Sequence, residues 1–230
     1  MKKKLLIVGL LVFFILALDQ ILKIWVKTNI SYNDAPLNLF GDWFRLIYVE
    51  NQGMAFGTTF GSSMWGKLAL SLFRIGAIIA IGIYWYRQAK TTIRLEFLIA
   101  VGLIFAGATG NLIDSMLYDF IFKFDPNMSF NLIEGSGIKN DFGFYEQQEV
   151  RQTGFLFGNV VDMFQFNFTW PQWVPYVGGE GVFPAIWNIA DFSISCGVGM
   201  ILIRQKKYFP KKAKDLKVEN EEESASADED

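Results

Sequence analysis

The chain has 230 residues, of which 52% are hydrophobic and 19% are charged, and its formal net charge is −2. This charge gives no general attraction for nucleic acid, so no nucleic-acid partner is expected. The chain contains no histidine and one cysteine, Cys196, which excludes an internal disulfide framework and makes a zinc site of the usual kind unexpected. We therefore expect no metal and no cofactor, and carboxylates are the leading candidates for any catalysis.

Four apolar segments are long enough to cross a bilayer, which takes about 20 residues. They lie near residues 5–26, 68–86, 93–114 and 183–203. The first follows Met1-Lys2-Lys3-Lys4, as in a signal peptide, but no small-residue cleavage site follows it, so we expect a retained helix. The sequence thus predicts an all-α membrane protein with four transmembrane helices.

The basic residues favour one orientation in the membrane. They cluster before the first predicted helix, between the second and third, and after the fourth. These clusters lie on one side of a four-helix chain, which the positive-inside rule assigns to the cytoplasm. We therefore predict cytoplasmic termini, with residues 27–67 and 115–182 outside.

The segments outside the predicted helices differ in composition. Residues 37–60 mix apolar and polar residues and contain several glycines, which predicts short strands and turns. The second outer segment is long and rich in phenylalanine, and loops of that length are usually functional or disordered. A membrane domain over residues 1–209 is followed by a highly charged stretch, residues 210–230, that we expect to be a disordered cytoplasmic tail.

Polar residues in the apolar segments are functional candidates, because a charge inside the bilayer costs a few kcal/mol or more. Asp19 and Lys23 lie four residues apart, share a helix face and can neutralise each other. An ion pair that only fixes helix packing and a direct functional role are equally compatible with this spacing.

Three further segments carry carboxyl groups in apolar surroundings. Asn111 with Asp114 and Asn188 with Asp191 each aim an amide and a carboxyl in one direction, because residues three apart share a helix face. Asp162 lies in an apolar pentad that predicts a buried strand. If Asp162 and Asp191 met, they could share one proton, since two close carboxylates cannot both ionise. One could then activate water while the other donates to a carbonyl, but the sequence alone does not place them together.

In their order along the chain, these residues resemble the motifs of the lipoprotein signal peptidases (signal peptidase II), bacterial membrane aspartic proteases. The five runs that carry the resemblance are Asp19-Gln20-Ile21-Leu22-Lys23, Asn51-Gln52-Gly53-Met54-Ala55-Phe56-Gly57, Gly110-Asn111-Leu112-Ile113-Asp114, Val160-Val161-Asp162-Met163 and Phe183-Pro184-Ala185-Ile186-Trp187-Asn188-Ile189-Ala190-Asp191. The last has one residue more before its Asn than the family pattern. Each run alone is a weak signal, and the five in order are specific.

The resemblance implies that Asp162 and Asp191 are a catalytic dyad at the outer membrane surface, and that the first outer segment forms a small β-cradle. The supporting residues it implies are Asn51, Gly53, Asn111, Asp114, Asn188, Asp19 and Lys23. It implies a diacylglyceryl prolipoprotein substrate that is cut immediately before its lipidated Cys. It also implies that the protein lies in the bacterial inner membrane, in contact with membrane lipid. Globomycin, a cyclic peptide, is the inhibitor that the resemblance implies, and we expect a monomer.

The chain departs from the family pattern at two places. Ser115 stands where the family usually has Arg, and Arg74 or Arg151 could substitute for it, although we expect Arg74 to reach toward the outer surface. Residues 119–158 form an insertion, which we predict to modulate substrate access and not to supply essential chemistry.

Two other functions are compatible with the composition. A proton- or ion-coupled transporter would also carry Asp and Asn within its helices, although four spans without an inverted repeat disfavour it. A Ser–Lys peptidase using Lys23 is chemically possible, but no serine has a motif that marks it as a nucleophile. Solute transport by the reconstituted protein, or sensitivity to serine-directed acylating agents, would identify these alternatives.

Overall fold

Helices account for most of the described structure. The computed structural model describes residues 2–31, 34–51, 64–122, 131–139, 145–151 and 154–209. The helices are α1 (Lys2–Asn29), α2 (Met64–Ala89), α3 (Leu95–Ile121), α4 (Ile189–Ile203) and α5 (Gln205–Tyr208). Of these, α1, α2 and α3 are long and apolar enough to cross a membrane. The first three predicted spans are therefore confirmed, and α3 continues beyond its predicted end at Asp114.

A small antiparallel sheet accompanies the helices. The strands are β1 (Leu37–Phe40), β2 (Phe44–Asn51), β3 (Asn131–Lys139), β4 (Tyr145–Arg151), β5 (Val160–Phe166) and β6 (Ile186–Trp187). Four of them form one sheet in the order β1-β2-β5-β6, while β3 and β4 pair separately within the insertion. The strands predicted within residues 37–51 and around Asp162 are confirmed, and residues 52–60 lie outside the described part of the chain.

The predicted start of the fourth helix at Phe183 is wrong. The chain there is not helical: Ile186–Trp187 forms β6, which pairs with β5, and α4 begins only at Ile189. Asn188 is the N-cap: its side-chain oxygen accepts from the backbone N–H of Asp191, whose carboxylate accepts from the N–H of Asn188. This reciprocal capping box satisfies N–H groups that a helix start otherwise leaves unpaired. At 15 residues, α4 is shorter than a typical span.

Helix α3 is the centre of the helical bundle and contacts α1, α2 and α4. Its small residues permit this close packing. A Cβ on Gly107 would lie 2.2 Å from the backbone oxygen of Ala190, and one on Gly110 would lie 2.7 Å from a carboxylate oxygen of Asp19. The small residues of α3 therefore form a packing surface that brings α4 directly against α3.

The chain returns from the inserted hairpin through a segment that packs against α2 and α3. Leu156 contributes to a buried cluster with Ile78 of α2 and Leu112 of α3. The Gly158 N–H donates to the carbonyl of Ser115 over 3.0 Å. This segment leads directly into β5, so its packing helps to set the position of that strand.

Candidate functional site

Asp162 and Asp191 line the same cavity, which has a volume of about 740 Å³. Asp162 lies in β5 and Asp191 lies in the first turn of α4. Among the described residues, the other polar or charged side chains in the cavity wall are Asn51, Arg74, Asn111 and Ser195, and the remaining lining is largely apolar. The fold therefore brings together two carboxyl groups that are 29 residues apart in the chain, by the numbering of the sequence.

Asp162 is buried and accepts hydrogen bonds from two side-chain amides. Asn188 Nδ2 donates to its Oδ1 over 2.6 Å, and the Asn51 amide donates to Oδ2. Asn51 can reach it because β2 runs antiparallel to β5, with Val49 opposite Asp162. The strand neighbours Val161 and Met163 are fully buried, which anchors β5 in the core on either side of the carboxyl.

Asp191 is held by α3 as well as by the start of its own helix. Asn111 Nδ2 donates to Asp191 Oδ1 over 2.9 Å, and the backbone N–H of Asn188 donates to Oδ2 over 3.3 Å. Asn188 Nδ2 also lies 3.2 Å from Asn111 Oδ1. The amides of Asn111 and Asn188 thus connect the two carboxyl groups in one hydrogen-bond network.

Behind this network lies a buried ionic cluster. Lys23 Nζ lies 2.9 Å from a carboxylate oxygen of Asp19 and 2.8 Å from one of Asp114, and it donates to Asn111 Oδ1 over 2.8 Å. Asp19 Oδ1 in turn accepts from the backbone N–H of Ala190 over 2.9 Å. The predicted Asp19–Lys23 ion pair is therefore present.

The position of this cluster distinguishes packing from direct contact with a ligand. Asp19, Lys23 and Asp114 are absent from the cavity wall, so they support Asn111 and the first turn of α4 from behind. Gln20, which the sequence did not single out, donates to Asp114 over 2.9 Å. Gly53, the other predicted supporting residue, lies outside the described residues.

Burial gives Asp162 an unusual proton affinity. It raises the pKa of this carboxyl well above its ordinary value, because the charged form loses its hydration, and the negative charge of Asp191 raises the pKa further. The hydrogen bond from Asn188 and the charge of Lys23 act in the opposite direction. A carboxyl of this kind can retain a proton where an exposed aspartate would lose it.

Arg74 and Ser115 illustrate what the sequence did not reveal about the site. Arg74 lines the cavity, and its reach toward the outer surface stays a prediction. The sequence feature that could have indicated a role in the site is a charged residue within an apolar segment, the same feature that made Asp191 a functional candidate. Ser115 is fully buried, and a Cβ on Gly158 would lie 3.2 Å from its carbonyl oxygen. The return from the insertion therefore packs over α3 at the position of the missing family Arg.

The fold and site define a membrane protein with two carboxyl groups on a largely apolar cavity. A family model for signal peptidase (SPase) II matches residues 11–206. Lipoprotein signal peptidases of Porphyromonas gingivalis and Amoebophilus asiaticus are 37% and 32% identical over 206 and 197 residues, which cover 86% and 82% of this chain and 81% and 73% of theirs. The chain therefore belongs to the signal peptidase II family, a family of proteases.

Solved structures agree with this fold. Two bacterial membrane enzyme structures, determined by the in meso method at 2.3 and 1.9 Å resolution, give TM-scores of 0.54 and 0.55. They are 21% and 22% identical to this chain and cover 90% and 88% of it, corresponding to 93% and 94% of their own length. The similarity extends over nearly the whole fold.

Proposed function

We propose that the protein is a membrane aspartic endopeptidase that removes the signal peptide from diacylglyceryl-modified prolipoproteins. The observation that carries this proposal is the convergence of Asp162 and Asp191 on one cavity, with Asn188 bonded to both residues. Membership of the signal peptidase II family supplies the substrate class, and the lipoprotein signal peptidases at up to 37% identity support it. Cleavage would fall immediately before the lipidated Cys.

The chemistry requires one ionised and one protonated carboxyl group. We assign the proton to Asp162, because it is nearly fully buried, and the base to Asp191. Asp191 takes a proton from water as the water oxygen attacks the peptide carbonyl carbon, while Asp162 donates its proton to the carbonyl oxygen. When the tetrahedral species collapses, Asp191 gives its proton to the leaving amine as the C–N bond breaks. Asp162 recovers a proton from the diol, which restores the starting state.

The apolar wall of the cavity suits a substrate that enters from the lipid. Side chains from α2, α3 and α4 form this wall, among them Ile78, Ala108 and Ile194. Aromatic side chains continue it toward the sheet, including Trp187 and Phe166, whose ring centroids are 5.4 Å apart. Such a surface can bury the acyl chains of a lipidated peptide while the amides and carboxyls contact its backbone.

The short fourth helix suggests the depth of the site. Fifteen residues of helix span about 22 Å, less than the roughly 30 Å of the hydrocarbon core. If α4 crosses from the cytoplasmic side, its N-terminus and Asp191 lie just below the outer surface. We propose that α4 is the fourth membrane helix, that both termini are cytoplasmic and that the site opens at the outer face of the inner membrane. Reporter fusions at Lys90 and Gly135 would have opposite sidedness, and equal sidedness would refute this topology.

The decisive experiment is cleavage of a diacylglyceryl prolipoprotein by the purified protein in liposomes. Asp162→Asn and Asp191→Asn should each lower kcat by about 10⁴-fold or more, because residues that act as a unit fail together. Asp34→Asn, at an exposed carboxyl in the first outer segment, is the matched control and should retain activity. Globomycin should inhibit the wild-type protein. Near-wild-type turnover by either dyad variant would exclude the aspartic mechanism.

A further inference from the structure

Arg74 is a positively charged residue in the wall of the cavity. It lies on α2, about 15 Å along the helix from Met64 at a rise of 1.5 Å per residue. The same cavity wall contains Asn51, Asp162 and Asp191. The side chain is half-buried, so its charge is partly removed from solvent. A cation placed at this depth in a membrane protein is a candidate for a functional contact.

The guanidinium of Arg74 lacks a hydrogen-bond partner at one of its nitrogens. Nη1 is buried and has no acceptor among the residues that the structure describes. The negative charge of Asp191 attracts the Arg74 guanidinium, but the side-chain oxygens of Asp191 and Asp162 accept from Asn111 and Asn188. A buried N–H without an acceptor is unfavourable, so Arg74, which lines the same cavity as the two carboxyl groups, has a donor that no described residue uses.

We propose that Arg74 is a substrate-binding residue that donates a hydrogen bond to a carbonyl oxygen of the lipidated peptide. The inference rests on the proposed function. A carbonyl fits the donor because it accepts a charge-assisted hydrogen bond without adding a full negative charge beside two carboxyl groups. The substrate offers such oxygens in its peptide backbone and in the esters of its diacylglyceryl group. Both sources share the same chemistry, and kinetics can separate them.

The test compares Arg74→Met, Arg74→Lys and the control Arg87→Met in liposomes with diacylglyceryl prolipoprotein. Arg87 lies on the same helix but is exposed in its last turn, so it reports the general effect of removing an arginine from α2. Arg74→Met should lower kcat/KM by about 10- to 100-fold, the usual effect of losing a hydrogen bond to a charged group. The kcat/KM of Arg74→Lys should lie between those of wild type and Arg74→Met, because lysine keeps the positive charge but lacks the planar set of N–H donors of arginine. Arg87→Met should stay within about twofold of wild type.

The kinetic parameters and the lipid identify the acceptor. An equal loss in kcat and kcat/KM would assign Arg74 to the scissile carbonyl oxygen, whereas a rise in KM alone would assign it to a carbonyl bound equally in the ground state. A substrate with ether-linked chains lacks the ester carbonyls. If an ester carbonyl is the acceptor, wild type and Arg74→Met should have the same kcat/KM on the ether-linked substrate. If a peptide carbonyl is the acceptor, Arg74→Met should still have the lower kcat/KM on that substrate.

A purely electrostatic role for Arg74 gives a different pH dependence. A cation that only adjusts the dyad would shift the pH–rate profile of Arg74→Met and allow full recovery of kcat/KM at a new optimum, which would overturn the proposal. A substrate contact predicts a loss at every pH. Unchanged kcat/KM in Arg74→Met would also overturn the proposal. In either case, cleavage of the substrate by the wild-type protein would leave the proposed function intact. If Arg74→Met fails to fold, Arg74→Lys is judged by the same criteria.

Discussion

Asn188 donates from its side-chain nitrogen to Asp162 Oδ1 over 2.6 Å, although the two residues are 26 positions apart and lie on different elements. The side-chain oxygen of the same Asn188 accepts from the backbone N–H of Asp191 and caps α4. One side chain therefore fixes the start of the helix that carries the second carboxyl and also holds the first. Helix capping and site assembly are performed by the same residue.

Two substitutions of Asn188 should separate these roles. Asn188→Ser keeps a capping oxygen but is too short to reach Asp162, whereas Asn188→Ala removes both contacts. We expect the Ala variant to lose about 1 kcal/mol of stability relative to the Ser variant. Both variants should lower kcat by a smaller factor than Asp162→Asn or Asp191→Asn does. The reason is that the Asn188 amide positions other groups and does not itself exchange protons. Thermal unfolding and turnover measure the two effects, and full activity in Asn188→Ser would show that the amide contact is dispensable.

The pKa of Asp162 predicts how stability depends on pH. In the unfolded chain an aspartate has a pKa of about 3.9. Burial raises the pKa of Asp162 in the folded state. At a pH between the unfolded-state pKa and the higher folded-state pKa, the folded chain therefore binds more protons than the unfolded chain. The contribution of Asp162 to stability therefore becomes less favourable as the pH rises through this window. Asp162→Asn is neutral at every pH and should gain stability relative to wild type as the pH rises above about 4. Thermal unfolding in detergent measures this, and a difference independent of pH would contradict it.

The sequence predicted those features that depend on local spacing. Three apolar runs of sufficient length gave three helices, and the four-residue separation of Asp19 and Lys23 placed them on one face as an ion pair. The start of α4 was missed because Phe183 to Trp187 is as apolar as a membrane helix, although the Asn188-to-Asp191 spacing is that of a capping box. Composition cannot distinguish an apolar strand from an apolar helix.

Features that depend on long-range packing could not be obtained in this way. The convergence of Asp162 and Asp191 requires β5 to pair with β2 and α4 to pack on α3, and neither pairing is encoded in the spacing along the chain. The direction of Arg74 depends on which face of α2 lines the cavity. Its charge identified it as unusual, but only the packed helices place it beside the two carboxyl groups.

The close contact of α3 with α4 gives a test of how packing controls the site. Gly107→Ala would place a Cβ 2.2 Å from the backbone oxygen of Ala190, at the start of the helix that carries Asp191. Because a backbone atom cannot rotate away, we expect a loss of about 1–3 kcal/mol and a fall in turnover as Asp191 is displaced. Gly76→Ala is the matched control, since nothing lies within 4 Å of its added Cβ. Equal stability and turnover in the two variants would contradict the predicted constraint.

The insertion can be divided into a part that should be replaceable and a part that supports the fold. Residues 119–121 belong to α3, and the returning segment supplies Leu156 to a buried cluster and Gly158 to a backbone contact with α3. The ends of the hairpin region are close together, because the Gly154 N–H donates to Asp119 Oδ2 over 3.0 Å.

Replacing residues 125–151 with an eight-residue Gly/Ser linker should therefore leave a folded enzyme. We expect kcat within about threefold of wild type, because all five motif runs that carry the family resemblance lie outside residues 125–151, and a change in KM if the hairpin controls substrate access. Extending the replacement to residue 158 removes the contacts of Leu156 and Gly158, and should lower the unfolding temperature and turnover together. Turnover and thermal unfolding of both variants provide the comparison. Complete loss of cleavage in a well-folded 125–151 replacement would show that the hairpin supplies an indispensable part of the site.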